Sequence, residues 1–245
     1  MMENTSDQVP LKDQRAYYDN YWRTHKLGLI PDEVTRLAEI FHAVALILPN
    51  FKTREIRICD LGCGRGWISA ELSKFGTVTA VDLSPQAIQS ASERWPQVDF
   101  QSTDILTWRP DDSFDLVVTS EVIEHVPDHK LFADTVRHLL RNGGYLILTT
   151  PNGKVKRAWD AINGGSQIIE NWLKPAELRQ LFSSFEILRH KVFILDFSYV
   201  GIFRITSAPK LLRLINLAGI GKVYDLIRDW LRLGLYQILV ARFEK

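Results

Sequence analysis

The side chains with the clearest chemical capability lie in the segment Glu121-Val122-Ile123-Glu124-His125. Histidine is the side chain best matched to proton transfer near neutral pH, so His125 is predicted to act as a general base that removes the proton of a hydroxyl group. If the segment is helical, Glu121, Glu124 and His125 share one side and could bind a divalent cation that lowers the pKa of that hydroxyl. A third interpretation is that His125 only caps or packs within its loop.

A second functional segment is the glycine-rich stretch with Gly62, Gly64 and Gly66, which follows a short apolar strand pattern and precedes a helical pattern that starts at Trp67. Such a turn presents unpaired backbone N–H groups at a helix N-terminus, and glycine allows a ligand to approach the backbone. The spacing G-x-G-x-G differs from the G-x-G-x-x-G pattern that binds dinucleotides. Asp60 precedes Gly62 by two residues, where a carboxylate would pair with an ammonium group better than with a pyrophosphate.

A second acid, Asp82, lies 20 residues after Gly62, at the end of the next predicted strand. An acid at this position can accept hydrogen bonds from a ribose diol. The two acids and the loop therefore predict a nucleoside ligand with a cationic amino-acid tail. Asp104 and Ile105 follow the third strand, where they either contact the base of that nucleoside or form an ordinary turn.

The segment Asp60-Leu61-Gly62-Cys63-Gly64-Arg65-Gly66, together with Asp82, resembles motif I of the class I S-adenosylmethionine (SAM)-dependent methyltransferases. This form is common in the methyltransferase type 11 branch that includes the ubiquinone-biosynthesis O-methyltransferases. The resemblance implies SAM as cofactor and S-adenosylhomocysteine (SAH) as product. It also implies a set of cofactor-binding residues. These are Asp60, Gly62, Cys63, Gly64, Trp67, Asp82, Leu83, Asp104, Ile105, Thr119 and Ser120, with Tyr18 and Tyr21 from an aromatic N-terminal segment that either folds over the cofactor or covers the sheet edge.

The resemblance favours O-methylation of a small-molecule or lipid-linked hydroxyl acceptor, with His125 as general base and without a metal ion. One alternative is metal-dependent 2′-O-methylation of RNA through Glu121, Glu124 and His125, because this segment resembles the metal-binding motif of the small-RNA methyltransferases. Those enzymes carry a further histidine soon after a Thr-Pro-Asn element, whereas the next histidine after Asn152 here is His190, so a nucleic-acid partner is not expected. The other alternative is a non-catalytic SAM-binding module.

The elements that must position these residues alternate between strand and helix from Ile56 onward, which is typical of a doubly wound α/β sheet. We predict a Rossmann-like, seven-stranded sheet with an antiparallel final strand. Ser84 and Pro85 are predicted to begin a helix, and the segment 142–144 (Asn-Gly-Gly) to end another. The predicted units of this single structural domain are an N-terminal helical cap (1–52), a SAM-binding core (53–197), a helical insertion or lid (198–234) and the last strand (235–245).

The predicted insertion at 198–234 is rich in leucine and carries six basic and two acidic side chains. A basic amphipathic element can cover an apolar acceptor or contact a membrane surface, so peripheral membrane contact through 198–234 is one prediction. Packing against the sheet edge or in a dimer interface is the alternative. The sequence leaves the oligomeric state open.

Composition restricts the class of protein. The 245 residues include 46% hydrophobic and 24% charged residues, as in ordinary globular proteins, and a net charge of +1 gives no overall attraction to nucleic acid or membranes. Cys59 and Cys63, the two cysteines, lie beside or in the glycine loop and are expected to be reduced. No signal peptide or apolar run of about 20 residues is apparent, so a cytoplasmic protein is expected.

Overall fold

A computed structural model describes residues 9–24, 31–51, 55–157, 167–193, 209–219, 221, 223 and 234–245. Its centre is a seven-stranded sheet with the order β3-β2-β1-β4-β5-β7-β6. The strands are Ile56–Leu61 (β1), Gly76–Asp82 (β2), Asp99–Ser102 (β3), Phe114–Ser120 (β4), Leu140–Pro151 (β5), Glu186–Phe193 (β6) and Tyr236–Arg242 (β7). Strands β1 to β5 pair in parallel, whereas β7 lies antiparallel between β5 and β6. The predicted Rossmann-like sheet with an antiparallel final strand is confirmed.

Seven α-helices lie entirely within the described part of the chain. They are Leu11–Thr24 (α1), Pro31–Ile47 (α2), Trp67–Leu72 (α3), Pro85–Arg94 (α4), His129–Leu139 (α5), Pro175–Leu181 (α6) and Pro209–Leu217 (α7). The predicted start of α4 is confirmed, because Ser84 Oγ accepts a hydrogen bond from the N–H of Ala87 at 3.1 Å. This local cap satisfies one of the backbone donors that a helix N-terminus leaves unpaired.

The two faces of the sheet are both buried, which is why the central strands are almost continuously apolar. In β1, Ile58 packs into one apolar cluster and Cys59 into the other. Both side chains have no exposed surface, as expected when successive strand residues point to opposite faces. The strand ends that carry the glycine loop and Asp82 are therefore held by a sheet that is packed on both sides.

The glycine pair after α5 has a different role from the predicted one. Helix α5 ends at Leu139 and β5 begins at Leu140, so Asn142, Gly143 and Gly144 lie within the strand. Gly143 has a φ of +77°, and the register between β4 and β5 shifts in this region. The prediction that these residues end the helix is wrong, since the chain uses the left-handed glycine inside an irregular strand.

Part of the insertion predicted at 198–234 is described. Helix α7 lies within it, and Leu214 and Leu217 on this helix are 63% and 77% exposed. Of the predicted second helix of the insertion, only Val223 is described, and it is 54% exposed; the polar residues 1–8 lie outside the described residues. Within the described parts of the chain, no helix has the length and apolar character that crossing a membrane requires.

Candidate active site

A cavity of about 540 Å³ lies at the carboxyl ends of the parallel strands, and helix α1 covers it. Gly62 follows β1, Leu83 follows β2, Asp104 follows β3 and Glu121 follows β4, and all four line the cavity. Ligands of open α/β sheets bind at this edge. The cavity also has the size that is usual for small-molecule sites.

The cavity brings together most of the residues that the sequence predicts as cofactor-binding. The lining includes Tyr18, Tyr21, Gly62, Cys63, Gly64, Trp67, Asp82, Leu83, Asp104, Ile105 and Ser120. His125 and Glu121 also line it. Asp60, Thr119 and Glu124 do not, because they lie behind the wall and are at most 2% exposed.

The glycine loop has the backbone that its composition predicts. Gly62, Gly64 and Gly66 all have positive φ, of 80°, 52° and 75°. A Cβ at Gly64 would lie 2.6 Å from the ring of Trp22, so this residue must be glycine for α1 to pack here. The loop is held from below by Asp82, whose carboxylate accepts hydrogen bonds from the N–H of Gly64 at 2.8 Å and of Ser84 at 2.9 Å.

Asp60 lies under the loop and accepts a hydrogen bond from Ser69 Oγ at 2.5 Å. Burial raises the pKa of Asp60 to about 7, with the Ser69 hydrogen bond opposing the shift. Asp60 is therefore bound to Ser69 of α3 and does not contribute surface to the cavity. Asp104 lines the cavity and also accepts a hydrogen bond from the N–H of Leu106, so its carboxylate organises the turn after β3.

His125 has an orienting partner that the sequence did not reveal. Its Nδ1 lies 2.8 Å from the carbonyl oxygen of Ile169. A carbonyl can only accept, so we assign the proton to Nδ1, which leaves Nε2 with a lone pair. Burial lowers the pKa of His125, so the ring is neutral at neutral pH. Neutral imidazole with a fixed tautomer is the form that a general base requires.

Glu121 and Glu124 each have a protein partner. Glu121 lies 3.4 Å from the guanidinium of Arg36, and Glu124 accepts a hydrogen bond from Thr150 at 2.9 Å. Burial raises the pKa of Glu121 to about 8 and that of Glu124 to about 7. Their neutral forms are therefore well populated near pH 7.

The helical arrangement on which the metal-binding alternative depended is not present. Glu121 has a φ of +58°, and only residues Ile123–His125 form a single 3₁₀ turn. The three side chains are thus not placed by one regular helix. Among the residues that the structure describes, no group of three His, Cys, Asp or Glu side chains is arranged to hold a metal ion.

Helix α1 is attached to the core by polar contacts at two points. Asp19 accepts hydrogen bonds from Ser84 Oγ and from the N–H of Gln86 at the start of α4. At the other end of the helix, Arg65 donates to the carbonyl of Trp22, and its guanidinium lies 5.7 Å from the centre of the Trp22 ring. These contacts place Tyr18 and Tyr21 over the cavity.

Several lining residues have no counterpart in the sequence-based prediction. They are Gln14, Glu33, Arg36, Leu37, Val122 and Gln167, among others. Arg36 is the most informative, because it is a cation on α2 that reaches the end of β4 from far away in the chain. Nothing in the helical pattern of α2 distinguishes an arginine that faces a cavity from one that faces solvent.

Comparison with known proteins agrees with this geometry. A family model described as a methyltransferase domain matches residues 28–189. A ubiquinone biosynthesis O-methyltransferase of Xylella fastidiosa is 34% identical over 140 residues, which is 50% of this chain and 56% of that protein. A protein of the same name from Xanthomonas oryzae is 34% identical over 139 residues, or 50% and 58% of the two chains. The chain therefore matches little more than half the length of these curated relatives.

Solved structures share the whole fold at lower identity. Magnesium protoporphyrin IX methyltransferase from Synechocystis PCC 6803 with bound SAH has a TM-score of 0.65 at 16% identity, covering 96% of this chain and all of that one. The N-methyltransferase NodS from Bradyrhizobium japonicum, in complex with SAH, has a TM-score of 0.60 at 18% identity over 96% and 97% of the two chains. The chain belongs to the methyltransferase domain family, and its resemblance to class I SAM-dependent methyltransferases is confirmed.

Proposed function

With this family membership as the premise, we propose that the protein is a SAM-dependent O-methyltransferase that acts on a small-molecule or lipid-linked hydroxyl compound, with His125 as general base. The observation that carries the proposal is the contact between His125 Nδ1 and the Ile169 carbonyl, because it leaves Nε2 without a proton on a residue that lines the cavity. Nε2 lies 3.8 Å from Oε1 of Glu124, which can stabilise the imidazolium that forms when Nε2 takes a proton. Relatives named as O-methyltransferases support the same reaction class.

The residues of the cavity fit SAM. The left-handed glycines bring backbone N–H groups close to a ligand, and Asp82 lies where a ribose diol would be held. Asp104 and Ile105 offer an acceptor and an apolar surface for the adenine, and the Arg36 guanidinium offers a partner for a carboxylate. The hydroxyl of Tyr18 is buried and has no hydrogen-bond partner in the described structure, which is expected of a group that a ligand completes.

When bound, SAM supplies an activated methyl group on a positively charged sulfur. The protein has to hold the acceptor oxygen in line with that methyl and remove the hydroxyl proton. His125 is suited to the second task, since its ring is fixed by Ile169 and burial keeps it neutral. Helix α1 and the buried walls exclude water, which strengthens the electrostatic interactions inside the cavity.

The described part of the 198–234 segment supports an apolar acceptor. Leu214 and Leu217 of α7 are exposed, and Arg213 lies beside them in the sequence. A lipid-linked compound, or the membrane surface that carries it, would bury such leucines beside a basic residue. We extend the proposal to peripheral membrane contact through 198–234, without nucleic acid as partner.

Two measurements test the proposed function. Calorimetry with SAM and SAH is expected to give saturable binding to the full chain. Methyl-labelled SAM is then incubated with the protein and a host-cell extract, which is partitioned into organic, aqueous and macromolecular fractions. Label in the organic fraction supports the lipid-linked acceptor, and label in small aqueous products supports a polar one. Label only in RNA or protein contradicts the acceptor class, and binding without any transfer favours the non-catalytic module.

A further inference from the structure

The lining of the cavity contains a hydroxyl group to which the proposed mechanism assigns no particular ligand atom. The Oη atom of Tyr18 is buried and has no hydrogen-bond partner among the described residues. Leaving such a group unpaired is unfavourable, so a buried hydroxyl in a cavity wall indicates a ligand atom as its partner.

The surroundings of Tyr18 indicate which part of a ligand would be that partner. The Tyr18 ring lies edge-on to the His125 imidazole, with the ring centres 6.1 Å apart and the planes at 62°. Burial is the main reason that the pKa of Tyr18 is raised, and the Glu124 and Asp82 carboxyl groups add to the effect. Tyr18 therefore remains protonated and can donate a hydrogen bond. Tyr18 lines the same cavity as Asp82 and His125, the residues that the proposed function assigns to the cofactor and to the acceptor.

We propose that Tyr18 is a catalytic residue that donates a hydrogen bond to the acceptor oxygen, on which negative charge develops as His125 removes its proton. This inference rests on the proposed function. It also assigns the acceptor to the phenols and other weakly acidic hydroxyl compounds, because a neutral imidazole assisted by one neutral donor removes a proton efficiently only from a hydroxyl group whose oxyanion forms easily. Helix α1 thereby becomes a part of the reacting centre as well as a cover.

The step balances without a further reactant. The acceptor oxygen forms a bond to the methyl carbon while the bond between that carbon and the sulfonium sulfur breaks. The electron pair of the broken bond stays on the sulfur. The hydroxyl proton moves to Nε2 of His125. Tyr18 keeps its proton throughout and stabilises the developing oxyanion, in the way that preorganised donors act in other enzymes.

The attachment of α1 explains how Tyr18 keeps its place. Asp19, the next residue, is bound to Ser84 and to the N–H of Gln86. An acid at a helix N-terminus is also favoured by the helix dipole. A donor on a separate helix is thus fixed relative to the strand ends that carry His125.

Tyr18→Phe removes only the hydroxyl, and Tyr17→Phe is the matched control, since Tyr17 neighbours it on α1 but does not line the cavity. With methyl-labelled SAM and an organic extract of host cells, Tyr18→Phe is expected to lower the rate of label transfer about 100-fold. The dissociation constant for SAM, measured by calorimetry, should stay within about twofold of the unmodified protein. Tyr17→Phe should change neither value.

A second readout does not depend on turnover. We titrate 4-nitrophenol, whose phenolate absorbs visible light, with the SAH-saturated protein. The unmodified protein should bind it and favour the phenolate about tenfold relative to free solution, and Tyr18→Phe should abolish this preference. An equal preference in both proteins, no binding of the phenol, or a loss of SAM affinity that matches the loss of rate would overturn the inference. SAM binding without label transfer by the unmodified protein would instead contradict the proposed function.

Discussion

Replacing His125 by Asn tests the central chemical assignment with little disturbance of the fold. The amide N–H of Asn takes the place of Nδ1 and can still donate to the Ile169 carbonyl, but the variant has no atom in place of Nε2. If Nε2 is the general base, His125→Asn should lower kcat by about 100- to 10,000-fold, or about 3–5 kcal/mol in activation free energy. SAM affinity should change little, because the acceptor proton is not involved in cofactor binding.

The pH dependence gives an independent check. The pKa of His125 is lowered by burial, so the base is neutral and active at neutral pH, and the rate of the unmodified protein should fall about tenfold per pH unit once the pH is below that pKa. The rate of His125→Asn should lack this decline. Proton linkage also acts on stability. Since the unfolded chain binds this proton first, the His125 contribution to the free energy of unfolding decreases as the pH falls below about 6.5, by at most about 1.4 kcal/mol at about pH 5.5. The raised pKa values of Asp60, Glu121 and Glu124 act in the opposite direction, so the His125 contribution is measured as the difference between the unmodified protein and His125→Asn.

The assays are single-turnover label transfer, calorimetry with SAM, and urea denaturation at about pH 7.5 and about pH 5.5. His125→Gln is the control, because it keeps a polar atom near the Nε2 position and loses the donor to Ile169. It should lose activity and stability together. Wild-type rates in His125→Asn, or a decline at low pH that persists in this variant, would refute the assignment of His125 as the base.

Three further substitutions test the cofactor site and its cover. Asp82→Ala removes the acceptor of hydrogen bonds from the Gly64 and Ser84 N–H groups and from the predicted ribose hydroxyls. The Kd for SAH, measured by calorimetry, should therefore rise about 10- to 100-fold. The control is Asp99→Ala, at an exposed position, which should leave this Kd unchanged. Gly64→Ala places a Cβ 2.6 Å from the Trp22 ring on a residue with a φ of +52°. Urea denaturation should show that the free energy of unfolding decreases by about 1–2 kcal/mol. An unchanged free energy of unfolding would contradict the observed packing of α1. Asp19→Ala removes the hydrogen bonds that attach α1 to the start of α4. Stopped-flow tryptophan fluorescence should therefore show faster release of SAH. An unchanged release rate would mean that α1 does not control release.

The features that could be predicted from sequence are those that neighbouring residues determine. Ser84 and Pro85 begin α4 because a cap acts within three residues of itself. The glycine loop and Asp82 could be placed at one edge of the sheet because parallel strands bring their carboxyl ends together. The alternation of strand and helix indicates the doubly wound sheet, but it does not determine the order of the seven strands.

The features that could not be predicted depend on residues far apart in the chain or on unusual backbone. The Ile169 carbonyl that orients His125 comes from a segment 44 residues later. Arg36 reaches Glu121 from α2 across the width of the site. The segment 142–144 has the composition of a helix end, but backbone hydrogen bonds between Gly143, Gly144 and Phe243 continue the strand through it. Local propensity cannot anticipate such tertiary pairing.

The left-handed conformation of Glu121 connects backbone strain with the chemistry of the site. A non-glycine residue at a φ of +58° costs about 1–2 kcal/mol and persists only where its surroundings fix it. Here the N–H of Glu121 donates to the Thr149 carbonyl at 3.0 Å, and the carboxyl group meets Arg36. This turn ends the strand abruptly and places the 3₁₀ turn with His125 at the cavity wall.

The same turn brings Glu121 and Glu124 together where burial raises the pKa of both into the neutral range. The Glu124 carboxylate opposes ionisation of Glu121, whereas the Arg36 guanidinium favours ionisation of both acids, so the charge of the pair depends on the balance between burial and this cation. A ligand with a positive sulfur and a positive ammonium group would favour ionisation of these acids, whereas a neutral thioether would do so less.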